Sequence, residues 1–182
     1  MIKPSFSSIL VLLFGLVIAP KLFASDANNM QLVAAAREGD VTQIEALLQQ
    51  GANPNSTDAR GFTPLMLAAY YGHIDVLVAL KNSGTNLCAI DQKGSNAMMG
   101  AAFRGHTSVV NWMLQHSNCD INHTNYAGQT TLMMAALFGR EDIIDILLNK
   151  GADSALRDAM GNSAASLATA QGQYALAEKL HL

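Results

Sequence analysis

The sequence predicts an all-α solenoid of about five helix-turn-helix units joined by short hairpin-like turns, and three observations predict it. First, glycines recur with one period. Gly61, Gly94, Gly128 and Gly161 lie 33, 34 and 33 residues apart, and Gly39, Gly72, Gly105, Gly139 and Gly172 lie 33, 33, 34 and 33 apart. A period of this size is the mark of stacked supersecondary units, each too small to bury its own apolar face. Second, Thr63, Asn96, Thr130 and Ser163 occupy one equivalent place, and all are residues that cap helix N-termini. Third, apolar residues repeat at helical spacing in the second half of each unit: Ile44 and Leu47, Leu77 and Leu80, Val110 and Met113, Ile144 and Leu147.

Taken in order, the chain begins with a leader. Lys3 and the free amine give a positive end, Ile9 to Ala19 is an unbroken apolar run, and Ala24 offers a small residue at a cleavage point. That is the layout of a signal peptide over residues 1–24, with Leu22 the imperfect element. The run of 11 is about half of the ~20 apolar residues a transmembrane helix needs. No Cys follows it and no twin Arg precedes it, which points to the general secretory route. The expected destination is the bacterial periplasm, with no membrane attachment after cleavage.

Residues 25–182 then form one domain. A degenerate first repeat runs over 26–57, three full repeats over 58–90, 91–124 and 125–157, and a shortened last one over 158–182. Each full repeat opens on a turn, exemplified by Asp58 and Gly61, and starts its first helix at the capping residue. Pro64 sits at the first helical position, where a missing N–H is harmless. The alanine pairs Ala35-Ala36, Ala68-Ala69, Ala101-Ala102 and Ala135-Ala136 allow the first helices to approach closely. A third glycine row, Gly51, Gly84 and Gly151, ends the second helices, with Ser117 in its gap. The one extra residue of the 34-residue unit falls near Ser117-Asn118, in a loop that tolerates it. The first repeat lacks the turn, and the last has a short, charged second helix; both read as caps with one neighbour each.

The stretch Thr63-Pro64-Leu65-Met66-Leu67-Ala68-Ala69-Tyr70-Tyr71-Gly72-His73 resembles the ankyrin repeat, with Met66 standing where the family pattern has His. The resemblance covers all of the chain after the leader. It implies a non-catalytic scaffold that binds another protein on a concave surface made by turn tips and the exposed side of the first helices. At those places the chain carries Arg60, Phe62, Lys93 and Tyr126 in the turns, and Tyr70, Tyr71, Phe103, Arg104, Leu137 and Phe138 before the inter-helix glycines. Stacking would align them into an aromatic stripe. Tyr and Arg are the residues interface hot spots favour, although about half of these aromatics are expected to pack between repeats.

The remaining chemistry is sparse. Without the two leader lysines, 9 basic residues face 14 acidic ones, a net of −5, which excludes a nucleic-acid footprint. No nucleotide loop, nucleophile elbow or paired zinc motif occurs, so neither an enzyme nor a cofactor is expected. His73 and His106 follow inter-helix glycines and read as side chains bridging helix ends. His116, Cys119 and His123 form H-x-x-C-x-x-x-H, a weak metal-ligand pattern without an obvious fourth ligand. Cys88 and Cys119, the only cysteines, are three places apart in register. A disulfide between them is one reading and a packing role for Cys88 the other, since stacked loops ordinarily exceed the ~7 Å Cα limit. Met66, Met98, Met99, Met133 and Met134 cluster at the starts of first helices and read as pliable core filler.

The expected function is therefore protein binding by a periplasmic monomer that stabilises or inhibits its partner. The alternative is a redox-protective or metal-handling role for the Met, His and Cys residues.

Overall fold

The computed structural model describes residues 26–181; the leader expected over 1–24 lies outside them. Among the described residues ten helices follow one another in five pairs: α1 (26–38) with α2 (Val41–Gln49), α3 (Pro64–Tyr71) with α4 (Ile74–Lys81), α5 (Ala97–Arg104) with α6 (Thr107–His116), α7 (Thr131–Leu137) with α8 (Glu141–Asn149), and α9 (Ala164–Ala170) with α10 (Tyr174–Leu180). Among the described residues no helix is long and apolar enough to cross a membrane. The all-α repeat solenoid expected from the glycine period is the observed architecture.

Each capping residue does the work its type suggests. The side chains of Thr63, Asn96, Thr130 and Ser163 accept hydrogen bonds from the backbone N–H of Met66, Met99, Met133 and Ser166 at 3.0–3.2 Å. The core is one continuous cluster running through all five pairs. Ile44, Leu77, Val110 and Ile144 of the second helices are fully buried, as are the alanine pairs of the first. Because alanine lets backbones close in, the first helices pack tightly from repeat to repeat while the second helices touch far less. The array therefore curves toward its first helices, and their free side becomes concave.

The turns are built alike. In three of them an Asp, and in the fourth Asn125, accepts two backbone N–H bonds through one side-chain oxygen. Asp58 takes those of Arg60 and Phe62, and Asn125 those of Ala127 and Gln129, at 2.8–3.0 Å. Successive turns join edge to edge, Gln92 N–H donating to the Arg60 carbonyl and Tyr126 N–H to that of Lys93.

Two devices hold neighbouring repeats in register. The first uses the inter-helix glycines, which sit at φ +62 to +85°. The next repeat lays a side chain over each: His73 over Gly39, His106 over Gly72, Arg140 over Gly105 and Gln173 over Gly139. His73 and His106 then donate Nε2–H to the carbonyls of Arg37 and Tyr70, each at 3.0 Å. Arg140 donates to that of Phe103 at 3.3 Å. The second device lies in the loops after the second helices. Asn55 Oδ1 accepts from Asn86 N–H at 2.7 Å, and Asn122 Oδ1 accepts from Asp153 N–H at 2.8 Å. At the interface between those two, the Asn55 position is held by Cys88, and the neighbour of the receiving residue Asp120 is Cys119. These two are disulfide-bonded, with Cα atoms 5.4 Å apart. The three-place offset that counted against a bond is what produces it. This loop position leans forward onto the start of the next loop, not onto its own equivalent.

Two outcomes are expected. Gly72→Ala places a Cβ 2.9 Å from the His106 ring at φ +85°. It should lower stability by at least the ~1–2 kcal/mol cost of a left-handed non-glycine residue, read as a fall in thermal midpoint. Thiol titration of the denatured, unreduced protein should find no free cysteine. Reduction should cost about 3–4 kcal/mol by the loop-closure relation for a separation of 31 residues, measured by urea unfolding with and without reductant.

Candidate functional site

The concave side carries a groove of about 350 Å³ between the first helices of the second and third repeats. One wall is Phe62, Met66 and Tyr70, spaced four residues apart along and just before α3, so that they share one face. The other is Met99 and Phe103 of α5, with Met134 of α7 behind them. Met66 and Met99 are almost wholly buried and form the floor. Arg60 and Lys93 stand at the turn end of the groove. The Arg60 guanidinium lies 4.5 Å from the Phe62 ring centre.

The aromatic residues form a ladder that crosses repeat boundaries. Tyr70 stacks on Phe103 with ring centres 6.0 Å apart, and Phe103 meets Phe138 edge to face at 4.5 Å. Tyr71 packs edge to face on Tyr70 at 5.2 Å and stays 42% exposed. Arg104 places its guanidinium 5.2 Å from the Tyr70 ring centre, at the helix C-terminal end of the groove. The rings thus pack on one another and remain partly exposed, because a row of half-buried aromatics repeats with the solenoid itself.

Of the residues singled out from sequence, Arg60, Phe62, Tyr70, Tyr71, Lys93 and Phe103 line the groove together. Arg104 and Phe138 adjoin it through Tyr70 and Phe103. Tyr126 and Leu137 do not line it. The Tyr126 ring lies over Gly94 instead, where an added Cβ would come within 2.8 Å of it, and Leu137 is partly buried outside the lining. The floor residues Met66 and Met99, together with Met134, Gly100 and Ser95, line the groove but were not among the predicted contacts. Gly100 had a legible signal: it is a glycine outside all three periodic rows.

The H-x-x-C-x-x-x-H pattern does not assemble. Cys119 spends its sulfur on the disulfide. His116 donates Nδ1–H to the Trp112 carbonyl at 2.9 Å and stacks on that indole, while His123 donates Nε2–H to the Gly94 carbonyl at 2.8 Å. Among the described residues no three His, Cys, Asp or Glu side chains gather into a metal-holding group. Met66, Met98, Met99 and Met133 are buried and serve packing; Met134 is partly exposed.

Asp58 supplies the electrostatics behind the turn. Burial alone would raise its pKa. The N–H bonds from Phe62 and Arg60 and the Arg60 charge outweigh this and hold it below the ordinary 3.8. Arg60 and Arg37 lie 3.5 and 3.9 Å from its carboxylate. At Asp158 burial likewise opposes, and hydrogen bonds from Asn162 and Met160 prevail, so its pKa is also lowered. A folded pKa below the unfolded one means stability that is complete above 3.8 and lost as pH falls through the lower folded value. Asn125 shows that an amide serves the same turn. Asp58→Asn with Asp158→Asn should therefore fold, and should lose less stability than wild type as the pH falls below 3.8, followed by urea midpoints.

Comparison with known proteins agrees with the geometry. Residues 32–125 match a family model described as "Ankyrin repeats (3 copies)", and residues 113–168 match one described as "Ankyrin repeats (many copies)". No curated protein matches the chain.

Proposed function

Because the chain belongs to the ankyrin-repeat family, whose arrays generally mediate protein–protein interaction and are typically non-catalytic, we propose that it is a binding module gripping a partner protein in the concave groove. The observation that carries this reading is the ladder of Tyr70, Phe103 and Phe138, one ring from each of three successive repeats, in contact yet only half-buried at Tyr70 and Phe103 and exposed at Phe138. A solenoid has no need of exposed rings on its free face, and a contiguous apolar patch rimmed by charge is what a recognition surface requires. Arg60 and Arg104 lie over rings in this patch, adding the residue type that anchors such interfaces.

The place of action we propose is the bacterial periplasm. The apolar leader supports it, as does the disulfide, which persists in oxidising compartments. The protein acts there as a monomer, and binding stabilises or inhibits the partner.

In-envelope crosslinking of the mature protein identifies what it holds. Tyr70→Ala with Phe103→Ala should reduce capture at least about a hundredfold, on the basis of about 2 kcal/mol per anchoring ring and tenfold per 1.4 kcal/mol. Helical circular dichroism should remain that of wild type. Undiminished capture would make the ladder a packing feature and sink the proposal.

A further inference from the structure

We infer that the groove takes an acidic peptide segment of the partner, carrying one bulky apolar side chain that seats over Gly100. Its flanking carboxylates meet Arg60 and Lys93 at the turn end and Arg104 at the other. This rests on the reading of the groove as the partner-binding surface and names what that surface selects.

Gly100 is the first reason. It lies inside α5, four residues after the cap Asn96. The equivalent places after Thr63 and Thr130 hold Leu67 and Met134, so one side chain is missing from an otherwise filled row. Among the described residues it is the only glycine without a positive φ. The backbone does not call for it, and neither does packing. An added Cβ would meet only the Tyr70 side chain, at 3.6 and 3.9 Å, which is ordinary contact. A glycine inside a helix is less stable there than an alanine. Nothing in the fold offsets that loss. With no side chain there, the backbone of Gly100 itself lines the groove beside Tyr70, Met99 and Phe103, and an incoming apolar side chain takes the place that a Leu or Met would otherwise fill.

Charge is the second reason. The whole chain is net −3, and its outer helices expose Glu45, Asp75, Glu141 and Asp142. The groove is the reverse. Its charged lining is Arg60 and Lys93, with Arg104 over the Tyr70 ring. The nearby carboxylates Asp58 and Asp91 are turned into their own turns, accepting backbone N–H bonds from Arg60 and Phe62 and from Lys93 and Ser95. Glu38 is exposed, does not line the groove, and shares the register position of Tyr71 and Arg104. Among the described residues Lys93 and Arg104 have no ion-pair partner, and Arg60, 66% exposed, reaches only Asp58. An occupant covering the groove would strip water from these cations. A basic segment would be repelled, and a purely apolar one would leave Lys93 and Arg104 buried without a counter-charge. Carboxylates on either side of the apolar anchor satisfy both ends.

Two synthetic peptides test this against the oxidised mature protein. Both carry a single central Phe, flanked in one by Asp and Glu and in the other by Lys, and binding is followed by NMR titration. The acidic peptide should bind, more weakly as salt rises, and Arg60→Ala with Lys93→Ala should weaken it at least about tenfold. Gly100→Leu should abolish binding with no loss of thermal stability, and Gly100→Ala should raise stability while weakening binding. Equal or tighter binding of the Lys peptide would overturn the inference. So would no binding of either peptide, or full binding by both Gly100 variants. A crosslinked partner that needs Tyr70 and Phe103 but seats a non-acidic segment would overturn this inference and leave the groove reading standing. Capture that survives loss of both rings would remove both.

Discussion

The structure depends on one contact repeated down the array: a side chain of one repeat lying over the left-handed glycine that ends the first helix of the repeat before. His73, His106, Arg140 and Gln173 all occupy this place, and three of the four donate a hydrogen bond to a helix-end carbonyl beneath. The contact exists only because glycine has no Cβ and tolerates positive φ. It ends a helix, satisfies a carbonyl that the helix leaves unpaired, and sets the step to the next repeat in a single arrangement. Chemically different side chains can fill the role, which shows that the constraint is steric first and polar second.

Regular stepping has a consequence for the surface. Side chains just before the glycines are carried into a row on the concave side, so a ring in each of three repeats becomes a ladder without any dedicated design. What individualises the surface is a small set of departures from the repeat. Gly100 removes a side chain where Leu67 and Met134 keep theirs, Arg60 and Lys93 bring charge to the turn end, and buried Met66 and Met99 supply a deformable floor. The scaffold is held by what the repeats share, and the groove is individualised by where they differ.

The loops on the other side show how one structural task is met by two chemistries. Asn55 and Asn122 reach forward to the next loop with a hydrogen bond, whereas Cys88 makes the same reach covalently to Cys119. The covalent version spans the interface between the second and third repeats, the same pair whose first helices form the groove. A surface made by two repeats keeps its shape only if their relative position is fixed.

Much of this was legible in the sequence because it is local and periodic. The glycine rows, the capping residues Thr63, Asn96, Thr130 and Ser163, and the apolar stripes each report a short-range backbone requirement, and one period repeated along the chain is enough to specify a stack. The bridging roles of His73 and His106 followed from their place in that period. Only the tertiary structure decided the matters that depend on the offset between neighbouring repeats. Cys88 pairs with a residue three places out of register because its loop leans forward. His116 and His123 turn to backbone carbonyls, and Tyr126 settles over Gly94. Gly100 lies inside a helix and lines the groove. Sequence spacing fixes what each repeat is; how far one repeat slides and rotates against the next is set by packing between residues about thirty apart, and the site lies on that boundary.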